Sequence, residues 1–168
     1  MAGPRTAFIR QMARKILSES QIQAPPVDLR TIVVKNGIEY VEMDDFPEAV
    51  DALIIEEGLK VYAAVNSTHH IHRQRFSLAH ELGHYFLHQG GIPEDIVSID
   101  NPPTGEWGEG SKDPAETEAD IFAGELLVPL DMLKQHRNKS LKELSALFVV
   151  SEHVISISLS KHLNSLFK

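Results

Sequence analysis

The chain has 168 residues, 42% of them hydrophobic, a net charge of -8 and no cysteine. That length can bury a core as one domain with a small appendage, while the lack of cysteine excludes a disulfide framework and any thiolate metal site, so a metal could be held only by His, Asp or Glu. No apolar run approaches the ~20 residues of a membrane span, and the start of the chain has no apolar segment ending in a small-residue cleavage site, so a cytoplasmic protein without membrane attachment is expected. The acidic charge is concentrated in residues 1–129 and residues 130–168 are net basic, which argues against nucleic-acid binding by the body of the protein.

Residues 4–17 read as an amphipathic helix, with Phe8, Ile9, Met12, Ala13, Ile16 and Leu17 on one side and Arg5, Arg10, Arg14 and Lys15 on the other. After Pro25-Pro26 a second, short helix is expected over 27–36, with Leu29, Ile32 and Val33 inward and Gly37 as its C-terminal cap. Three strands should follow, 38–43, 52–56 and 59–65, the last two joined as a hairpin at Glu57-Gly58. Together they predict a small antiparallel sheet.

The next element, predicted over 75–88, contains His80-Glu81-Leu82-Gly83-His84. On a helix, positions i and i+4 lie one above the other, so His80 and His84 can offer two imidazole nitrogens to one metal ion. Glu81 follows the first histidine and can point at a metal-bound water without ligating, as a general base would. Phe76, Ala79, Leu82, Gly83, Phe86 and Leu87 form an apolar face around these groups, and two histidines and a glutamate set into a buried helix are costly unless a metal or hydrogen bonds satisfy them. His88 is two turns from His80, ~12 Å of helix, so it cannot join the other two on one ion and suits a supporting role. His69, His70 and His72, ahead of the helix, read as surface residues; Tyr85, His136 and His153 are unranked candidates for stabilising an oxyanion.

Residues 89–113 are rich in glycine, proline and acidic residues and carry Trp107, which fits an irregular loop with a lid as one alternative. A helix over 114–129 is then predicted, opened by Pro114 and closed by Pro129, almost wholly apolar except for Glu116, Glu118, Asp120 and Glu125. A third metal ligand from this helix would complete an open, three-ligand catalytic site. Rotation of ~100° per residue puts Glu116 and Asp120 on one face and turns Glu118 nearly opposite. Of the two on the shared face, Glu116 has the longer reach, and Asp120 suits accepting the outer N–H of a histidine.

With these residues in view the chain resembles the ImmA/IrrE family of zinc metallopeptidases. The resemblance rests on the run Arg73-Gln-Arg-Phe-Ser-Leu-Ala-His-Glu-Leu-Gly-His84, on Glu116-x-Glu-Ala-Asp-x-Phe-Ala-x-Glu-Leu-Leu-Val-Pro129, and upstream on residues 25–29 and Gly37-Ile38, and so covers most of residues 5–165. It implies a gluzincin-like protease that acts on helix-turn-helix repressors, with the third zinc ligand at Glu116. Two departures are visible: Asp120 stands where the family usually has Asn, and Ala52 where a glycine is common. The metzincin continuation is absent, since its Gly and His positions are Leu87 and Gly90.

Residues 140–168 predict a capping box, Ser140 with Glu143, opening one helix, then a turn and a second helix from Glu152 to about Leu163. The shape is helix-turn-helix-like, but Glu152, His153, Ser156 and Ser158 are poor base readers, so packing or substrate docking is expected over DNA reading. The expectation is therefore an α+β, zincin-like metallopeptidase domain over 1–130, a small antiparallel sheet packed on a helical core, with a helical extension over 131–168 docked on it. Its function would be zinc-dependent hydrolysis of a peptide bond in a helix-turn-helix repressor. Zn2+ would be held by His80, His84 and Glu116, with Glu81 as base and Asp120 and His88 in support. The alternative is a zinc-containing regulatory module that displaces a repressor without cutting it.

Overall fold

The structure, a computed structural model, describes residues 4–88 and 113–166. The loop predicted over 89–113, with the alternative of a lid, lies outside the described residues apart from Asp113. Helix α1 spans Thr6–Glu19 and buries Ile9, Ala13, Ile16 and Leu17. It starts two residues later than expected. Phe8, predicted to face inward, is exposed; the Arg5 guanidinium lies over its ring, 5.2 Å from the centroid. Helix α2, Leu29–Lys35, is capped by Asp28, whose carboxylate accepts from the Thr31 backbone N–H at 3.1 Å and from its hydroxyl at 2.7 Å. Gly37 then takes φ +75°, the left-handed turn that lets the chain leave α2 and enter the sheet.

The strands are β1, Ile38–Met43, β2, Ala52–Glu57, and β3, Lys60–Asn66, in the order β1-β3-β2. The antiparallel expectation holds only for the hairpin: β2 pairs antiparallel with β3, but β1 pairs with β3 in parallel, Ile38 opposite Val61 through Met43 opposite Asn66. The sheet is mixed because β3, the most buried strand, takes the centre, leaving at the edges β1 with Glu39 and Glu42 and β2 with Glu56 and Glu57, where charges discourage further pairing. The hairpin turn falls one residue late, at Gly58-Leu59, with Glu57 opposite Lys60.

Helix α3, Ile71–Leu87, begins four residues earlier than predicted and packs on both the sheet and helix α4, Pro114–Leu127. The Asp113 side chain accepts from the Ala115 N–H at 2.8 Å and Pro114 occupies the first turn, which fixes where α4 starts. Gly83 sits where the two helices touch. A Cβ there would lie 2.9 Å from the Ala119 Cα and 3.1 Å from its carbonyl oxygen, so only glycine permits this approach.

A short helix not foreseen in the sequence, α5, covers Leu130–Gln135; α6, Leu141–Phe148, and α7, Glu152–Leu166, complete the described residues. Ser140 and Glu143 form the capping box of α6, Val149 turns left-handed at φ +53°, and α7 leaves at 107° to α6. Among the described residues no single helix is long and apolar enough to cross a membrane. Leu144, Phe148, Val150 and Ile155 belong to the same buried cluster as Ile9, Leu82 and Phe122. Arg75 of α3 ties this end of the chain down, donating to the carbonyls of Val149 at 3.0 Å, Val27 at 2.9 Å and Phe148 at 3.5 Å.

Candidate metal centre

His80 and His84 lie one turn apart on α3, their Nε2 atoms 3.0 Å from each other. Glu116, in the first turn of α4, brings Oε2 to 3.1 Å from His80 Nε2 and Oε1 to 3.1 Å from His84 Nε2. Donor atoms sharing one tetrahedral ion at ~2.0–2.1 Å would stand roughly 3.3 Å apart, so these three fit one metal ion with little movement. The close packing at Gly83 holds α3 near enough to α4 for this.

The surroundings favour a cation. Burial alone would lower the His80 pKa, but hydrogen bonds with Asp120 and Glu116 and the charge of Glu81 outweigh it and push it up to about 10. Glu116 is held well below the usual carboxylate range by its hydrogen bonds to His80 and His84. Burial raises Glu81, against the pull of both histidines. A carboxylate raised by burial next to a cation-attracting group is the setting of a general base.

The outer nitrogens are also held. His80 Nδ1 lies 2.8 Å from Asp120 Oδ1, one turn along α4 from Glu116. His84 Nδ1 lies 3.3 Å from His88 Nδ1. Glu118 offers nothing to the metal-facing group; instead it is buried, takes Arg5 at 2.6 Å and His88 Nε2 at 3.2 Å, and is held down to about 2 chiefly by the Arg5 hydrogen bond. Of the oxyanion candidates, Tyr85 packs edge-on against Phe86, His136 ends α5 against Phe148, and His153 is exposed at the start of α7.

One surface expectation fails. His69 is largely buried: its Nδ1 donates to Asp51 and its Nε2 lies 3.3 Å from Asn66 Nδ2, while Arg73 Nε reaches the same Asp51 oxygen at 2.6 Å. This network ties the end of the sheet to the entry of α3. A second network that the sequence did not reveal joins Glu125 to Arg10 at 2.8 Å and His162 at 3.3 Å.

Residues 42–160 match the IrrE N-terminal-like domain family of peptidases, and this stretch contains His80, Glu81, His84, Glu116 and Asp120. The chain belongs to the ImmA/IrrE family. Among curated relatives, the Metallopeptidase ImmA of Bacillus subtilis (strain 168) is 28% identical over 126 residues, which span 73% of this chain and 69% of that protein. A Mycobacterium tuberculosis transcriptional regulator of known structure is similar with a TM-score of 0.64 at 19% identity, over 92% of this chain. At that identity the likeness is one of fold, and the ImmA/IrrE chain described here spans 46% of the regulator's length.

Proposed function

We propose that this ImmA/IrrE family member is a zincin-like, zinc-dependent metalloendopeptidase that cuts a helix-turn-helix repressor in the cytoplasm. The observation that carries the reading is the convergence of His80 Nε2, His84 Nε2 and the Glu116 carboxylate at 3.0–3.1 Å, with Glu81 next to the first of them in sequence. His80, His84 and Glu116 would hold Zn2+, which when bound supplies Lewis acidity toward the scissile carbonyl and brings the pKa of a water toward ~7. Asp120 keeps the proton of His80 on Nδ1, so that the Nε2 lone pair faces the other ligands. Glu81 accepts the proton of the attacking water and hands it to the departing amine. Membership in a metallopeptidase family and the name of the Bacillus relative support hydrolysis; the repressor as substrate follows from the family resemblance.

The test is incubation of the zinc-loaded protein with the repressor encoded next to its gene, read by mass spectrometry. Fragments are expected with the wild type, and Glu81→Gln should retain zinc while losing cleavage by several orders of magnitude. The alternative is a zinc-containing module that displaces a repressor intact. It would be favoured if wild type and Glu81→Gln released uncut repressor from DNA equally well. The acidic body and the weak base-reading set on α7 argue that the protein by itself has no sequence-specific affinity for duplex DNA.

A further inference from the structure

Behind the metal-facing group runs a hydrogen-bonded chain that the peptidase reading leaves unused: His84 Nδ1 to His88 Nδ1 at 3.3 Å, His88 Nε2 to Glu118 Oε2 at 3.2 Å, and Glu118 to Arg5. Arg5 grips the carboxylate three times, with its backbone N–H and Nε on Oε1 at 3.0 Å each and Nη2 on Oε2 at 2.6 Å. The residue so held is only 6% exposed.

The direction of each bond follows from what the groups can do. A carboxylate paired with a guanidinium only accepts, so His88 donates from Nε2. A neutral imidazole that donates from Nε2 must accept at Nδ1. The donor it meets there is His84 Nδ1, which leaves the His84 Nε2 lone pair on the side of Glu116 and His80, the tautomer a metal ligand requires. His80 reaches the same state in one step through Asp120. His84 needs two steps, because His88 stands between it and the nearest held carboxylate.

We propose that His88 and Glu118, with Glu118 fixed by Arg5, are positioning residues that set the tautomer and ring orientation of His84 and through it the metal affinity of the site. This rests on the metal-binding reading above. An ordinary structural tie between α1 and α4 would use the same Arg5–Glu118 pair, but it would have no need of a histidine bridging to His84.

Zinc affinity measured by chelator competition, together with the visible spectrum of the Co2+-loaded protein, tests the relay. His88→Leu should bind zinc roughly 10- to 100-fold more weakly, with an altered Co2+ spectrum. His88→Asn should recover most of the affinity, because its Oδ1 takes the place of Nδ1 and still accepts from His84 although it cannot reach Glu118. Glu118→Gln should weaken zinc a few-fold in the wild type and have no effect in the His88→Asn background, where the relay is already cut. Arg5, with its side chain 53% exposed, supplies a variant that leaves the core alone: Arg5→Gln should also weaken zinc a few-fold. The proposal is overturned if His88→Leu binds zinc like the wild type, or if His88→Asn is as weak as His88→Leu while both metal-free forms melt at the wild-type temperature. It is also overturned if Glu118→Gln acts equally in both backgrounds. Failure of the underlying metal reading has a different mark: His80→Ala and the wild type would then bind zinc alike.

Discussion

Helix α4 meets histidine at both ends, with opposite results. Near its start Glu116 faces the Nε2 atoms of His80 and His84 at 3.1 Å, with the Glu116 side chain 32% exposed. Near its end Glu125 meets His162 and Arg10, and Glu125 and His162 are only 7% and 5% exposed. Both clusters join glutamate to imidazole inside one helix packing. At Glu125 an arginine already supplies the positive charge and the packing is closed, so the cluster is a tie between α1, α4 and α7. At Glu116 two imidazole nitrogens converge on a carboxylate, Asp120 holds the outer nitrogen of one of them, and the group is partly exposed. The convergence of three donor atoms on one point, more than the residue types, separates the candidate metal site from a buried ion pair.

The largest effect that could break this comparison is on metal content. Glu116→Ala should strip the zinc, seen by metal analysis after dialysis, whereas Glu125→Gln should leave it near one per chain; zinc lost equally from both would erase the distinction. Next, Asp120→Ala should weaken zinc roughly 10- to 100-fold through the loss of the His80 Nδ1 partner, a change that isothermal titration can resolve. Smaller is the cost of Gly83→Ala, which forces α3 off α4 and should lower folding stability by about 1–3 kcal/mol in denaturant titration. Unchanged stability there would mean that the helices are not in the close contact described.

The smallest effect concerns pH. Burial alone would raise Glu125, but its hydrogen bonds from His162 and Arg10 outweigh that and hold it below its ordinary 4.5. A depressed folded-state pKa contributes stability that is complete above the unfolded value and fades as pH falls toward the folded one. Below about pH 4.5 the wild type should therefore lose stability more steeply than Glu125→Gln, although Glu125→Gln starts lower at pH 7. Parallel acid melting curves would show that the Glu125 cluster contributes nothing.

What the sequence made legible was local. His80 and His84 share a face because one helix sets their spacing, and Pro114, Pro129 and the Ser140–Glu143 box marked helix ends through backbone chemistry that acts within a few residues. What it hid was long-range. The parallel pairing of β1 depends on which strand the sheet buries, and that choice is not encoded in any one strand. The burial of His69 depends on Asp51, 18 residues back, and although helix rotation correctly turns Glu118 away from Glu116 and Asp120, it gives no sign of the partner Glu118 meets there, Arg5, 113 residues distant. Phe8 fits the apolar stripe of α1 by period but falls at its margin, where neighbouring elements do not cover it.

The three carbonyls held by Arg75 belong to the segment before α2, to the end of α6 and to the left-handed Val149 that follows it. A β-branched residue at positive φ is strained on its own, and the Arg75 guanidinium from α3 is what the turn leans on. Local fluctuations are therefore shared: if the α6–α7 corner swings open, Arg75 loses its acceptors five residues from His80. Amide protons of α3 and α6 should exchange with solvent through one common opening, so the last two helices and the turn of α3 that carries His80 keep or lose their protection together.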